Sequence, residues 1–112
     1  MRKIRPTLRQ LQVFESVADE LSFTRASEKL HLSQPAVSIQ VKQLEEGVGL
    51  PLFEHTRRKI SLTEAGSIMH RLSKTIRNEL EDAGEQIDEL IDILKKGLDA
   101  TAAKYASVRR AS

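Results

Sequence analysis

The sequence predicts a mainly α fold: three short helices, a two-stranded hairpin and one long helix. Three observations carry this. Apolar residues recur at helical spacing in three consecutive short segments, each opened by a Thr or a Ser. Residues 50–62 break that period and are apolar at both ends of a basic turn. From Ala65 a single apolar stripe then runs to Leu94 with a mean step of ~3.6, the period of a nearly straight helix.

The first helix runs from about Thr7 to Glu20, with Leu8, Leu11, Phe14, Val17, Ala18 and Leu21 on one side and Thr7 as its cap after Pro6. Ser22 caps a second helix, Phe23 to Leu30, whose inward residues are Phe23, Ala26 and Leu30. Ser33 caps a third, with Pro35 in the first turn, where a missing N–H costs nothing. It ends in Gly47-Val48-Gly49, and Pro51 cannot continue it. Leu52 and Phe53, then His55-Thr56-Arg57-Arg58-Lys59, then Ile60 and Leu62 read as two strands around a charged tip. Ser61 or Thr63 caps the long helix, and Ser61-Leu62-Thr63-Glu64 has capping-box spacing. The expected organisation is a head (1–62), a long linker helix (63–98) and a basic, disordered tail (99–112).

With 112 residues, 39% hydrophobic and 30% charged, the composition is that of one globular domain. No apolar run approaches the ~18 residues of a membrane span, and the basic start lacks the apolar core of a secretory signal. The absence of cysteine removes disulfides, thiolate chemistry and cysteine-held zinc, and suits a reducing cytoplasm. The net charge of +2 is unevenly spread. Residues 1–62 carry ten Lys and Arg against seven Asp and Glu; residues 63–99 carry five against nine. A basic head on an acidic stalk would meet a polyanion at the head only.

Two short helices joined by a tight turn form a helix-turn-helix, whose second member enters the DNA major groove. In the third helix Val37, Val41, Leu44 and Val48 fall within about 60° of one another and make the buried side. Pro35, Ser38, Ile39 and Lys42 lie opposite, and Gln34 projects from the first turn beside Ser33. No acid occurs in this helix before Glu45, although a helix N-terminus favours Asp or Glu; neighbouring phosphate would account for that. Gln34 can pair with adenine N6 and N7, Ser38 can donate or accept, Pro35 and Ile39 can touch a thymine methyl, and Lys42 can reach a phosphate. An ordinary amphipathic helix with a polar outer side is the competing reading, which an exposed Ile39 disfavours. Thr24 and Arg25 could hold the DNA backbone, and Arg57, Arg58 and Lys59 an adjacent minor groove or its phosphates. Arg25 also reads as a solvated charge, and the hairpin's charges as solubility devices.

Leu8-Arg9-Gln10-Leu11, Ser22-Phe23-Thr24-Arg25-Ala26, Leu32-Ser33-Gln34-Pro35-Ala36-Val37-Ser38, Leu44-Glu45-Glu46, Leu52-Phe53-Glu54 and Leu62-Thr63-Glu64-Ala65-Gly66, in this order, resemble the LysR-type transcriptional regulators over about residues 7 to 95. The resemblance implies a winged helix-turn-helix whose long helix dimerises on interrupted inverted repeats of double-stranded DNA. It also implies DNA contacts at Gln34, Pro35, Ser38, Thr24 and Arg25. The Ser38–Glu45 run resembles the regulators of carbon-fixation operons. Ile39 stands where many members have Arg, and His55-Thr56-Arg57-Arg58 replaces a wing with a turn glycine. Members continue into an α/β effector-binding domain. None is expected in this chain, so no small-molecule effector site or cofactor is expected either.

The stripe raises a second possibility, a helical interaction module or a dominant-negative partner of a longer regulator. A head of some sixty residues is not expected to cover it, so Met69, Leu72, Ile76, Leu80, Ala83, Ile87, Leu90 and Leu94 are assigned to dimerisation. Burial of the stripe is worth ~10 kcal/mol gross, against an association cost of about 4–15 kcal/mol. Tetramers and mixed dimers stay open. The seven acids between Glu79 and Asp92 read as a solvated outer side. An enzyme is not expected: His31, His55 and His70 lack metal-ligand spacing, and there is neither a phosphate loop nor a nucleophile elbow.

Overall fold

The computed structural model describes residues Arg2 to Gly97. Thr7 opens α1 (Leu8–Glu20) with a full capping box: its Oγ1 accepts from Gln10 N at 3.0 Å, and Gln10 Oε1 accepts from Thr7 N at 3.1 Å. Leu21 belongs to the turn, not to the helix stripe. It adopts a left-handed conformation, φ 49°, and closes α1 with a bond from its N–H to Val17 O. Ser22 caps α2 (Phe23–Leu30), and His31, also left-handed at φ 55°, ends it. Ser33 caps α3 (Gln34–Val48) by accepting from Ala36 N at 3.2 Å. Gly49 ends α3 at φ 91°, where a Cβ would also press on the Arg2 guanidinium.

The hairpin is antiparallel, β1 (Phe53–Thr56) against β2 (Lys59–Leu62), with Thr56 opposite Lys59 and Phe53 opposite Leu62. The capping box expected from Ser61 to Glu64 does not form, because Ser61 is committed to β2. Thr63 caps α4 (Glu64–Lys96) instead: its Oγ1 accepts from Gly66 N at 3.0 Å and donates to Pro51 O at 2.7 Å. A Cβ on Gly66 would strike the Leu52 carbonyl, so glycine lets α4 start directly against the loop that leads into the hairpin.

All three phenylalanines meet in the head. Phe53 lies 5.3 Å from Phe14 and 5.7 Å from Phe23 between ring centroids. Around them are buried Leu11, Val13, Val17, Ala18, Ala26, Val37, Val41, Leu44 and Leu52. Met69 completes this core at 2% exposure, with Ala65, Leu72 and Ile76 packed against it. His70 adds its edge to Phe14 and places Nε2 at 2.8 Å from Asp19 Oδ1 on α1. The head therefore does cover the first part of the long stripe. Met69, Leu72 and Ile76, assigned to dimerisation from the sequence, are engaged by their own chain, because the three short helices and hairpin leave one side of the phenylalanine cluster for α4 to close.

The chain divides into two compact units between Ile76 and Arg77. In the second, α4 runs on to Lys96, and Gly97 N–H bonds Ile93 O to end it. Leu80, Ile87 and Ile93 are exposed here, and Leu90, Ile91 and Leu94 are half-buried. Arg77 and Glu81 form an i,i+4 pair at 3.6 Å. The tail expected at 99–112 and the last residue of the expected linker, Leu98, lie outside the described residues.

Candidate nucleic-acid interface

The two sides of α3 are sharply divided. Val37, Val41 and Leu44 are 0–3% exposed and lock the helix onto the core. Ser33, Gln34, Pro35, Ser38, Ile39 and Lys42 are all exposed, Ile39 by 54%. This is a consequence of spacing. The valine stripe fixes the helix's rotation, and the remaining positions face solvent at the N-terminal half, the positive end of the helix dipole, which favours an anion.

Thr24 and Arg25 are exposed in the first turn of α2. The left-handed His31 and the bond from Leu32 N to Ser27 O turn the chain so that this end of α2 meets the start of α3. The two ends are joined directly: Gln34 Nε2 donates to Thr24 Oγ1 at 2.6 Å. Sequence reasoning placed both residues at the interface and missed their bond. No linear spacing announces it, since it depends on the angle set by the turn.

The hairpin tip is a two-residue turn in which Arg57 and Arg58 both have positive φ, 44° and 70°. Such type I′ turns are the home of Asn-Gly, so two arginines here hold their charge against conformational preference. The missing turn glycine has not abolished the wing. Among the described residues no ion pair engages Arg25, Lys42, Arg57, Arg58 or Lys59. The wing tip likewise makes no side-chain bond to α2 or α3 among those residues. Its link to α3 is at its base, where Glu45 Oε2 accepts from Leu52 N at 2.8 Å. This role of Glu45 was invisible in the sequence, as was the cap that Arg2 puts on α3 by donating to Gly47 O at 3.0 Å.

Among the described residues no group of three or more His, Cys, Asp or Glu side chains converges as a metal site would require. No described helix is long and apolar enough to cross a membrane.

Comparison with known proteins agrees with this geometry. Residues 8–67 match the bacterial regulatory helix-turn-helix proteins of the lysR family. Over 92 residues the chain is 48% identical to a RuBisCO operon transcriptional regulator of Allochromatium vinosum, covering 82% of this chain and 30% of that protein. Over 105 residues it is 47% identical to the HTH-type transcriptional regulator CfxR of Cupriavidus necator, covering 89% and 33%. The chain thus spans about a third of the length of these curated relatives. Among solved structures, the BenM DNA-binding domain on its catB site 1 DNA superposes with a TM-score of 0.72 at 29% identity, covering 76% of this chain and 96% of that one. The CbnR DNA-binding domain–DNA complex gives 0.69 at 30% identity, covering 76% and 98%. Winged helix-turn-helix, sequence motifs and relatives agree: the chain belongs to the LysR family of bacterial regulatory helix-turn-helix proteins.

Proposed function

We propose that this chain is a sequence-specific, DNA-binding transcriptional regulator that acts on a carbon-fixation operon. The observation that carries this is the exposed side of α3 from Gln34 to Lys42, apolar, amide and cationic with no carboxylate before Glu45, held outward by buried Val37, Val41 and Leu44. The α3 helix enters the major groove, where Gln34 and Ser38 read base edges and Pro35 and Ile39 pack on thymine methyls. Ser33, Thr24, Arg25 and Lys42 hold the phosphates, and Arg57, Arg58 and Lys59 take the neighbouring minor groove or backbone. The DNA complexes of BenM and CbnR, and the operon named for the Allochromatium relative, support this assignment.

The protein acts as a dimer on an interrupted inverted repeat, paired through Leu80, Ala83, Ile87, Leu90 and Leu94. It works in the bacterial cytoplasm, where the chromosome lies. The test is fluorescence anisotropy on inverted-repeat and scrambled duplexes across salt. Binding should prefer the repeat and weaken steeply as salt rises, because counterion release drives it. Gln34→Ala should cost about 1–3 kcal/mol and relax preference at one base pair of each half-site. Equal affinity for both duplexes in the parent protein would refute the proposal.

A further inference from the structure

The bond between Gln34 and Thr24 assigns Thr24 more than a backbone contact. We propose that Thr24 is a specificity-determining positioning residue, which fixes the polarity of the Gln34 amide and so selects the base that Gln34 reads. The inference rests on the reading above, in which α3 lies in the major groove and Thr24 faces the DNA backbone.

A glutamine amide can present its two ends in either order, and a base edge distinguishes the orders. Adenine offers the acceptor N7 and the donor N6 side by side, so Oε1 and one Nε2 proton must face it in matching sequence. In the structure Nε2 gives its other proton to Thr24 Oγ1, 2.6 Å away, and no other side-chain bond occupies Gln34 among the described residues. That leaves Oε1 and one N–H unspent, the pair adenine needs. The hydroxyl decides the order. A phosphate oxygen only accepts, so a Thr24 hydroxyl docked on phosphate donates to it and must offer Gln34 a lone pair. Only the NH2 end of the amide can use that lone pair. Docking on the sequence-neutral backbone is thereby converted into a defined polarity at the base.

The supports of both residues are rigid. Thr24 lies in the first turn of α2, capped by Ser22 through Arg25 N at 3.1 Å, and its own carbonyl accepts from Ser27 Oγ at 2.7 Å. Gln34 is the first residue of α3, next to its cap Ser33. Both side chains are exposed, so water competes for the bond in the free protein, and exclusion of water at the DNA surface strengthens it.

The experiment measures base preference with a duplex library randomised over two half-sites, at one fixed salt concentration. The parent chain is compared with Thr24→Val, Thr24→Ser, Gln34→Ala and the Thr24→Val/Gln34→Ala double variant, all checked by thermal melting. Thr24→Val should flatten preference at the base pair that Gln34→Ala also flattens, by about 2- to 12-fold (~0.5–1.5 kcal/mol at 1.4 kcal/mol per tenfold). Thr24→Ser should retain the preference, and the double variant should match Gln34→Ala alone. If Thr24→Val weakens every duplex equally, Thr24 is only a phosphate contact and the proposal is overturned. Multiplying losses in the double variant overturn it as well. A parent that selects a sequence while Gln34→Ala selects the same one overturns the recognition role of Gln34 itself, a result read from a different arm.

Discussion

Replacing the wing tip should move folding and binding in opposite directions. Arg57 and Arg58 sit at φ 44° and 70°, the left-handed region that a residue with a Cβ enters at a cost of about 1–2 kcal/mol. In the double variant R57N/R58G, asparagine relieves part of the first cost and glycine removes the second. Glycine's freedom in the unfolded chain takes back ~0.5–1 kcal/mol. The expected net gain is about 1 kcal/mol, or ~4–8 °C in melting temperature for a domain of this size.

DNA binding should suffer. If each arginine neutralises one phosphate, removing both lowers the slope of log affinity against log salt by about 1.8, at ~0.9 per phosphate. Scanning calorimetry measures the first effect and anisotropy over a salt series the second. A variant that melts lower than its parent would refute the strain argument. An unchanged salt slope would refute the phosphate role of the tip. A tip that served only the fold would give neither result, because its loss could not raise stability.

Further predictions separate the roles of neighbouring residues. Met69→Ala should destabilise the head by about 2–5 kcal/mol in urea unfolding, because it opens a cavity in the core that Met69 completes. Leu80→Glu should instead turn the proposed dimer into monomer in sedimentation; an unchanged mass would move the interface elsewhere. Gly66→Ala should cost about 1–3 kcal/mol, since its Cβ meets the Leu52 carbonyl and α4 must shift to make room. Glu45→Ala should cost about 1–3 kcal/mol by leaving the part-buried Leu52 N–H without an acceptor, whereas Glu45→Gln, which keeps an acceptor oxygen, should cost less. Both are read from urea midpoints.

Where a feature depended on local spacing, the sequence showed it. The bounds of α2, the cap at Ser33 and the outward set Gln34, Pro35, Ser38, Ile39 and Lys42 follow from caps and a 3.6-residue period. What depended on tertiary geometry was hidden. Leu21 has the spacing of a core residue, yet α1 ends one residue earlier and the turn to Ser22 claims it. Ser61 has the spacing of a cap, yet pairing with Glu54 across the hairpin holds it in a strand. The Gln34–Thr24 and Glu45–Leu52 bonds join residues ten and seven apart along the chain, brought together by turns whose angles no residue pattern states.

The long stripe shows the same limit in another form. Periodicity establishes that one side of a helix is apolar and is silent on what covers it. Ala65, Met69, Leu72 and Ile76 continue into Leu80, Ala83, Ile87, Leu90 and Leu94 without a break in period, yet the first four serve the core of the head. The reason is the size of that core. A domain of about sixty residues buries only ~60% of the surface its chain exposes when unfolded and is marginal for it. Three short helices and a two-stranded hairpin cannot enclose three phenylalanines on every side. Three turns of α4 supply the missing wall, anchored by Gly66 at Leu52 and by His70 at Asp19. The long helix thus begins as part of the head, and substitutions on its apolar stripe up to Ile76 should be judged as changes to a core, those from Leu80 onward as changes to an exposed or half-buried face.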